Sequence, residues 1–99
     1  MGCALRTKKG KIFTGASLHL SCGIGFCAEH SAIADMISHS DETEIDTLAA
    51  SGPNNPGYPC GRCRELIELI NIKNRKNTWV IIDDKRKAKL EDILPGEWW

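Results

Sequence analysis

The sequence predicts an α/β domain built on a mixed sheet of four or five strands. Two stretches, 27–40 and 60–72, repeat apolar residues at helical spacing. Short alternating or continuously apolar runs, at 2–7, 11–20, 43–51 and 78–83, precede, separate and follow them. The resulting order is β-β-α-β-α-β, with room for a fifth strand near the end. Strands separated by a helix should run parallel, joined by right-handed crossovers.

Taken in order, "GCALRT" (2–7) and "KIFTGASLHL" (11–20) alternate loosely around "KKG", and Gly10 supplies a turn, so the pair reads as a hairpin. "CAEHSAIADMISHS" (27–40) sets Ala32, Ile33, Met36 and Ile37 on one helical face. "TEIDTLAAS" (43–51) reads as a strand. "GPNNPGYP" (52–59), with three prolines and two glycines, reads as a loop. "CGRCRELIELINI" (60–72) places Leu66, Ile67, Leu69 and Ile70 on a helix ending near Asn71. "TWVIID" (78–83) is a continuous apolar run suited to an interior strand. "KAKL" suits a short edge strand guarded by lysines. "LEDILP" (90–95) fits a last helical turn stopped by Pro95. No repeat, low-complexity tract or long linker divides the chain, so 1–99 reads as a single domain.

The 99 residues carry no net formal charge, which argues against binding a nucleic-acid polymer. The basic run "DDKRKAK" (83–89) opens with two acids and reads as a solvated turn. No apolar run reaches the ~20 residues that span a bilayer, and the first ten residues lack the pattern of a secretory signal. A cytoplasmic location is expected, with no membrane partner. Thiols stay reduced there, and C-x-x-C points to metal or redox chemistry rather than a structural disulfide.

Five cysteines in so short a chain need a reason. Cys60 and Cys63 sit two residues apart at a predicted helix start, a spacing that lets two thiolates converge on one tetrahedral ion. Cys27 also begins a helix. If both helices start at the same sheet edge, three thiolates can hold one Zn²⁺ and leave the fourth position open, as catalytic zinc requires. Glu29 lies two residues from Cys27, where a carboxylate can carry protons between water and a substrate nitrogen. His30, Arg62 or Arg64 could balance the thiolate charge by hydrogen bonding to sulfur. Two other readings stay open at this point. One is a closed structural zinc site with His30 as fourth ligand; the other is a redox pair made by Cys60 and Cys63. Cys3 reads as a small buried residue, and Cys22 as either packing or substrate contact. Phe26 suits either core packing or stacking on a ring.

"CAE" at 27–29 and "PCGRC" at 59–63 resemble the C-x-E and P-C-x-x-C motifs of the zinc-dependent cytidine deaminase superfamily. "KIFTG" (11–15), "PCGRCREL" (59–66) and "DILP" (92–95) extend the likeness over nearly the whole chain, closest to small cytidine deaminases and blasticidin-S deaminase-like proteins. The resemblance implies a three-layer cytidine deaminase-like fold, here lacking the family's N-terminal helix because the chain begins at the first strand. It implies Zn²⁺ as cofactor, held by Cys27, Cys60 and Cys63. It implies hydrolytic deamination of cytidine or a related, including modified, aminopyrimidine nucleoside. Zinc-bound hydroxide would attack C4, with Glu29 as proton shuttle and the Ala28 backbone against the pyrimidine. It also implies a homotetramer with active sites near subunit contacts.

Family members usually place Asn and Glu along the second strand to hold ribose. Counting from Gly15, Ser17 and His19 stand there instead. A neutral histidine accepts one hydrogen bond where a carboxylate accepts several, so a modified nucleoside or another amino-heterocycle is expected as readily as cytidine. Trp98 and Trp99 would dock on the core or a neighbour, or cover a neighbouring site. The alternative to an enzyme is a non-catalytic member of the same fold that holds zinc and binds a ligand or partner; a protein of that kind has no use for Glu29.

Overall fold

The computed structural model describes residues 1–52 and 56–96. Strand β1 (Gly2–Thr7) and strand β2 (Ile12–Ala16) form the expected antiparallel hairpin. Gly10 sits at its tip with φ 94°, a left-handed conformation in which a side chain would be strained. Helix α1 (Ala28–His39) follows, then strand β3 (Ile45–Ser51). A two-residue strand β4 (Pro56–Gly57) pairs back on β3 inside the segment that the sequence predicts as loop. Helix α2 (Gly61–Ile70), a short helix α3 (Asn74–Asn77), strand β5 (Trp79–Ile81), strand β6 (Lys87–Lys89) and a final turn α4 (Leu90–Ile93) complete the chain. Trp98 and Trp99 lie outside the described residues.

The sheet runs in the order β2-β1-β3-β5-β6, with β4 attached to β3. Strands β3 and β5, separated by α2, are parallel, and every other pairing is antiparallel, which gives the mixed sheet that the element order predicts. "TWVIID" lies inside the sheet and "KAK" forms the edge. The turn before that edge is held by the Asp83 carboxylate, which accepts bonds from the backbone N–H groups of Lys85 and Arg86.

Register decides which residues share a face. Phe13 pairs with Leu5, Leu5 with Leu48, and Leu48 with Val80, so all four point to one side. Leu5, Leu48 and Val80 are buried on that side with Ala32, Ile33 and Met36 of α1, Ile67 of α2 and Leu90 of α4. Gly15 lets α1 approach: a Cβ there would collide with the Ser31 side chain and the Ala32 backbone. The opposite face carries Ala4, Arg6, Ile12, Thr47, Ala49 and Trp79, none of them buried. Lys87 and Lys89 lie over the Trp79 ring, 4.3 and 4.1 Å from its centroid.

At the N-terminal end of β3, Asn74 ties three elements together. Its Nδ2 donates to the carbonyls of Thr43 and Ile67, and its Oδ1 accepts the Ile45 N–H at 2.9 Å. Thr78 adds a bond to the Ile45 carbonyl. These contacts seat the C-terminal half of α2 against the start of β3.

Candidate active site

Helix α1 starts beyond the C-terminal end of β2, and α2 starts beyond the C-terminal end of β3. Since β2 and β3 both run antiparallel to β1, both helices begin at one edge of the sheet. Cys27 is the N-cap residue of α1 and Cys60 that of α2, both in extended conformation; Cys63 lies one turn into α2. The three sulfurs lie within 4.8 Å of one another. Cys27 Sγ is 3.9 Å from Cys60 Sγ, and Cys60 Sγ is 3.6 Å from Cys63 Sγ. Four ligands at ~2.3 Å around a tetrahedral zinc stand ~3.8 Å apart, so the spacing found here suits that ion. A disulfide would need ~2.05 Å, and all five cysteines are free thiols.

The thiols are unequal. Burial pushes Cys63 far above the ordinary thiol range, and the Glu29 carboxylate, accepting a hydrogen bond from it, pushes it further. Burial also raises Cys27. Burial opposes ionisation of Cys60 as well, but backbone N–H from Cys63, the two neighbouring thiols and the backbone N–H of Arg62 outweigh it and lower its pKa. Three thiols this close cannot all ionise without a cation among them. Two helix N-termini and a soft donor set favour Zn²⁺, and the zinc reading of the sequence fits these residues.

Glu29 is 5% exposed and stands in the first turn of α1. Its charge is felt at Cys3, Cys27 and Cys63, which places it beside the thiol cluster. A cavity of about 400 Å³ opens above. Ser17, His19, Phe26, Cys27, Ala28, Glu29, Cys60 and Arg62, all singled out in the sequence, line it. His30 does not: its Nε2 is buried with no hydrogen-bond partner among the described residues, and burial followed by the Arg62 charge lowers its pKa. Arg64 does not turn toward sulfur. Its guanidinium donates to the Ile93 carbonyl and lies over the Tyr58 ring. Cys22 is exposed at φ 61° and off the cavity, and Cys3 is buried, its pKa raised by burial to about 12.

Sequence reasoning missed part of the wall. Leu18 and Phe26 exchange two backbone hydrogen bonds, 2.9 and 3.0 Å, that pinch residues 19–25 into a lobe over the site. A Cβ on Gly25 would strike the Leu18 carbonyl, so this closure needs glycine there. Leu18, Leu20 and Tyr58 also line the cavity. An aromatic residue directly before P-C-x-x-C was the available signal for Tyr58.

Comparison with known proteins agrees with this geometry. A family model, the cytidine and deoxycytidylate deaminase zinc-binding region, matches residues 1–77. A probable cytidine deaminase of Dictyostelium discoideum is 30% identical over 104 residues, a match covering 97% of this chain and 66% of that protein. The crystal structure of cytidine deaminase from Mycobacterium tuberculosis superposes with a TM-score of 0.83 at 25% identity, covering 99% of this chain and 77% of that one. Cytidine deaminase from Mycobacterium leprae shares the fold, with a TM-score of 0.81 at 23% identity over 96% of this chain and 77% of that one.

Proposed function

This chain belongs to the cytidine and deoxycytidylate deaminase family, and from that premise we propose that it removes the exocyclic amino group of cytidine or a related aminopyrimidine nucleoside by hydrolysis. The observation that carries the reading is the buried Glu29 carboxylate beside three convergent thiols, two of which, Cys27 and Cys60, line the cavity with it. In this reading Cys27, Cys60 and Cys63 hold Zn²⁺. The ion, when bound, supplies Lewis acidity and lowers the pKa of water. The chain's own residues supply the rest. Glu29 takes a proton from the attacking water and delivers it to ring N3. It then takes the proton of the new C4 hydroxyl and delivers it to the departing amine, so that water and C4–NH₂ become C4=O and ammonia. Phe26 and the Ala28 backbone bound the ring position. Ser17 and His19 meet the part of the substrate beyond it, and their limited acceptor capacity favours a modified nucleoside over one held by both ribose hydroxyls. Arg62, whose backbone N–H faces Cys60 and which lines the cavity, contributes positive charge, and His30 follows Glu29 on α1 as the other candidate to support the thiols.

The free thiols agree with a reducing, cytoplasmic setting, and among the described residues no helix is long and apolar enough to cross a membrane. Self-association, as a tetramer, is part of the proposal. Met1, Leu18, Leu20, Phe26 and Tyr58 are large exposed residues that line the cavity, and such clusters mark contact surfaces. Light scattering at tens of micromolar should give a mass above the monomer, and a monomer would remove this part.

Ammonia release from a panel of aminopyrimidine nucleosides and pterins, wild type against Glu29→Gln, tests the chemistry. Wild type should turn over at least one member. The variant should lose at least ~10²-fold in rate with zinc retained. Equal rates would exclude Glu29 as the shuttle, and a non-catalytic protein would release no ammonia from any compound.

A further inference from the structure

The cavity has two walls of different origin. Ser17 to Glu29 come from the end of β2 and the start of α1, whereas Tyr58, Cys60 and Arg62 come from the approach to α2. That approach is anchored behind the wall by Arg64. Its backbone N–H bonds the Cys60 carbonyl at 3.0 Å, and its side chain reaches in two directions. One Nη donates to the carbonyl of Ile93, the last residue of α4, a position where helices leave carbonyls without intrahelical partners. The guanidinium carbon lies 5.3 Å from the centroid of the Tyr58 ring, within cation–π range. The Nε is sealed from solvent with no hydrogen-bond partner among the described residues. Burying a donor unpaired is unfavourable, so its local position is set by the other contacts.

The geometry points to Arg64 as a positioning residue: it clamps the end of α4 to the first turn of α2 and holds the Tyr58 ring in the cavity wall, so that substrate meets a preformed aromatic surface. Arg64 touches neither the thiols nor the cavity and acts through Tyr58. The inference rests on the function proposed above for the site. A bare structural role would lower stability and leave substrate affinity alone. A positioning role raises KM at nearly constant kcat, because the ring contributes to binding in the ground and transition states alike.

Tyr58 is the single tyrosine of the chain, so tyrosine-labelled protein gives one set of ring NMR signals. In zinc-loaded protein, Arg64→Ala should move that signal, keep one zinc per chain, and raise KM for cytidine about threefold to thirtyfold with kcat within about twofold. Tyr58→Ala should match it, and the double variant should add little more. Arg64→Lys, which keeps a donor and a charge without the planar fork, should fall between, and it decides the matter on the same readouts if Arg64→Ala does not fold. An unmoved ring signal, or a moved signal with unchanged KM, overturns the inference. Wild-type protein inactive on every panel compound counts against the proposed function instead. Arg64 is then judged by titrating the ring signal with cytidine, where equal Kd in wild type and variant overturns its role.

Discussion

The two ends of β3 gather different polar groups. At the N-terminal end the Asn74 side chain is buried, and both its donors and its acceptor are engaged by backbone of the two adjoining elements. Those bonds leave it nothing to offer a ligand. At the C-terminal end the thiols face one another, one carboxylate is buried beside them, and His30 Nε2 and Arg64 Nε have no hydrogen-bond partner among the described residues. Among the described residues, buried polar atoms without a hydrogen-bond partner occur toward both ends, at Glu42 and Glu68 as well as at His30 and Arg64, so it is the thiol cluster that separates the two. The ends differ in what is gathered there: backbone ties at one, and thiols with a buried carboxylate under a cavity at the other.

Substitutions at the two ends should therefore fail differently. Cys27→Ala should have the largest effect, losing zinc and all turnover together. At free zinc a thousandfold above its Kd the lost linkage alone is about 4 kcal/mol of stability, visible as a fall in Tm beside elemental analysis. Asn74→Ala should cost about 3 kcal/mol, since two buried backbone groups and one half-buried one lose their partner, while the folded fraction keeps one zinc and its kcat/KM. A variant that instead loses zinc at unchanged Tm would erase the distinction between the ends. Glu29→Gln is the mirror case: turnover falls at least ~10²-fold, about 2.7 kcal/mol of activation free energy, with denaturation midpoint and zinc content held.

The smallest effect belongs to Cys3, buried in the core opposite Ala50 near the C-terminal end of β3. Its pKa is raised by burial, and next by Glu29, from 9.0 to about 12. A raised thiol pKa means the unfolded chain ionises first. The contribution to stability is complete below pH 9 and fades as pH climbs toward 12. Wild type should thus lose Tm faster than Cys3→Ala across that window. Thiol reagents at neutral pH should modify exposed Cys22 well before Cys3.

Much of this was legible in the sequence because it rests on local signals. The apolar period placed α1 and α2, Gly10 marked the hairpin, and C-x-E with P-C-x-x-C picked out the residues that the fold gathers around the cavity. What escaped depends on contacts between distant segments. Helix α3 is four residues long, too short for any period to register, and it exists through the bonds of Asn74. Strand β4 hides in a proline-rich segment because its pairing partner is in β3. Arg64 was a candidate for bonding sulfur on proximity to Cys63, but the carbonyl that takes its Nη lies 29 residues away, beyond the reach of pattern reasoning.

The Leu18–Phe26 bridge carries a last implication, for how such a site can diversify. Two backbone bonds fasten the lobe at its neck, and neither needs a particular side chain at those positions. Residues 19–24 thus hang outside the cooperative core like an exchangeable cassette, with Gly25 as the hinge pin that sequence drift must spare. Lengthening such a loop is thermodynamically cheap, about 0.6 kcal/mol for each doubling. A lineage could retune what enters the cavity by rewriting this short stretch alone, leaving the thiols, the carboxylate and the sheet beneath them unchanged.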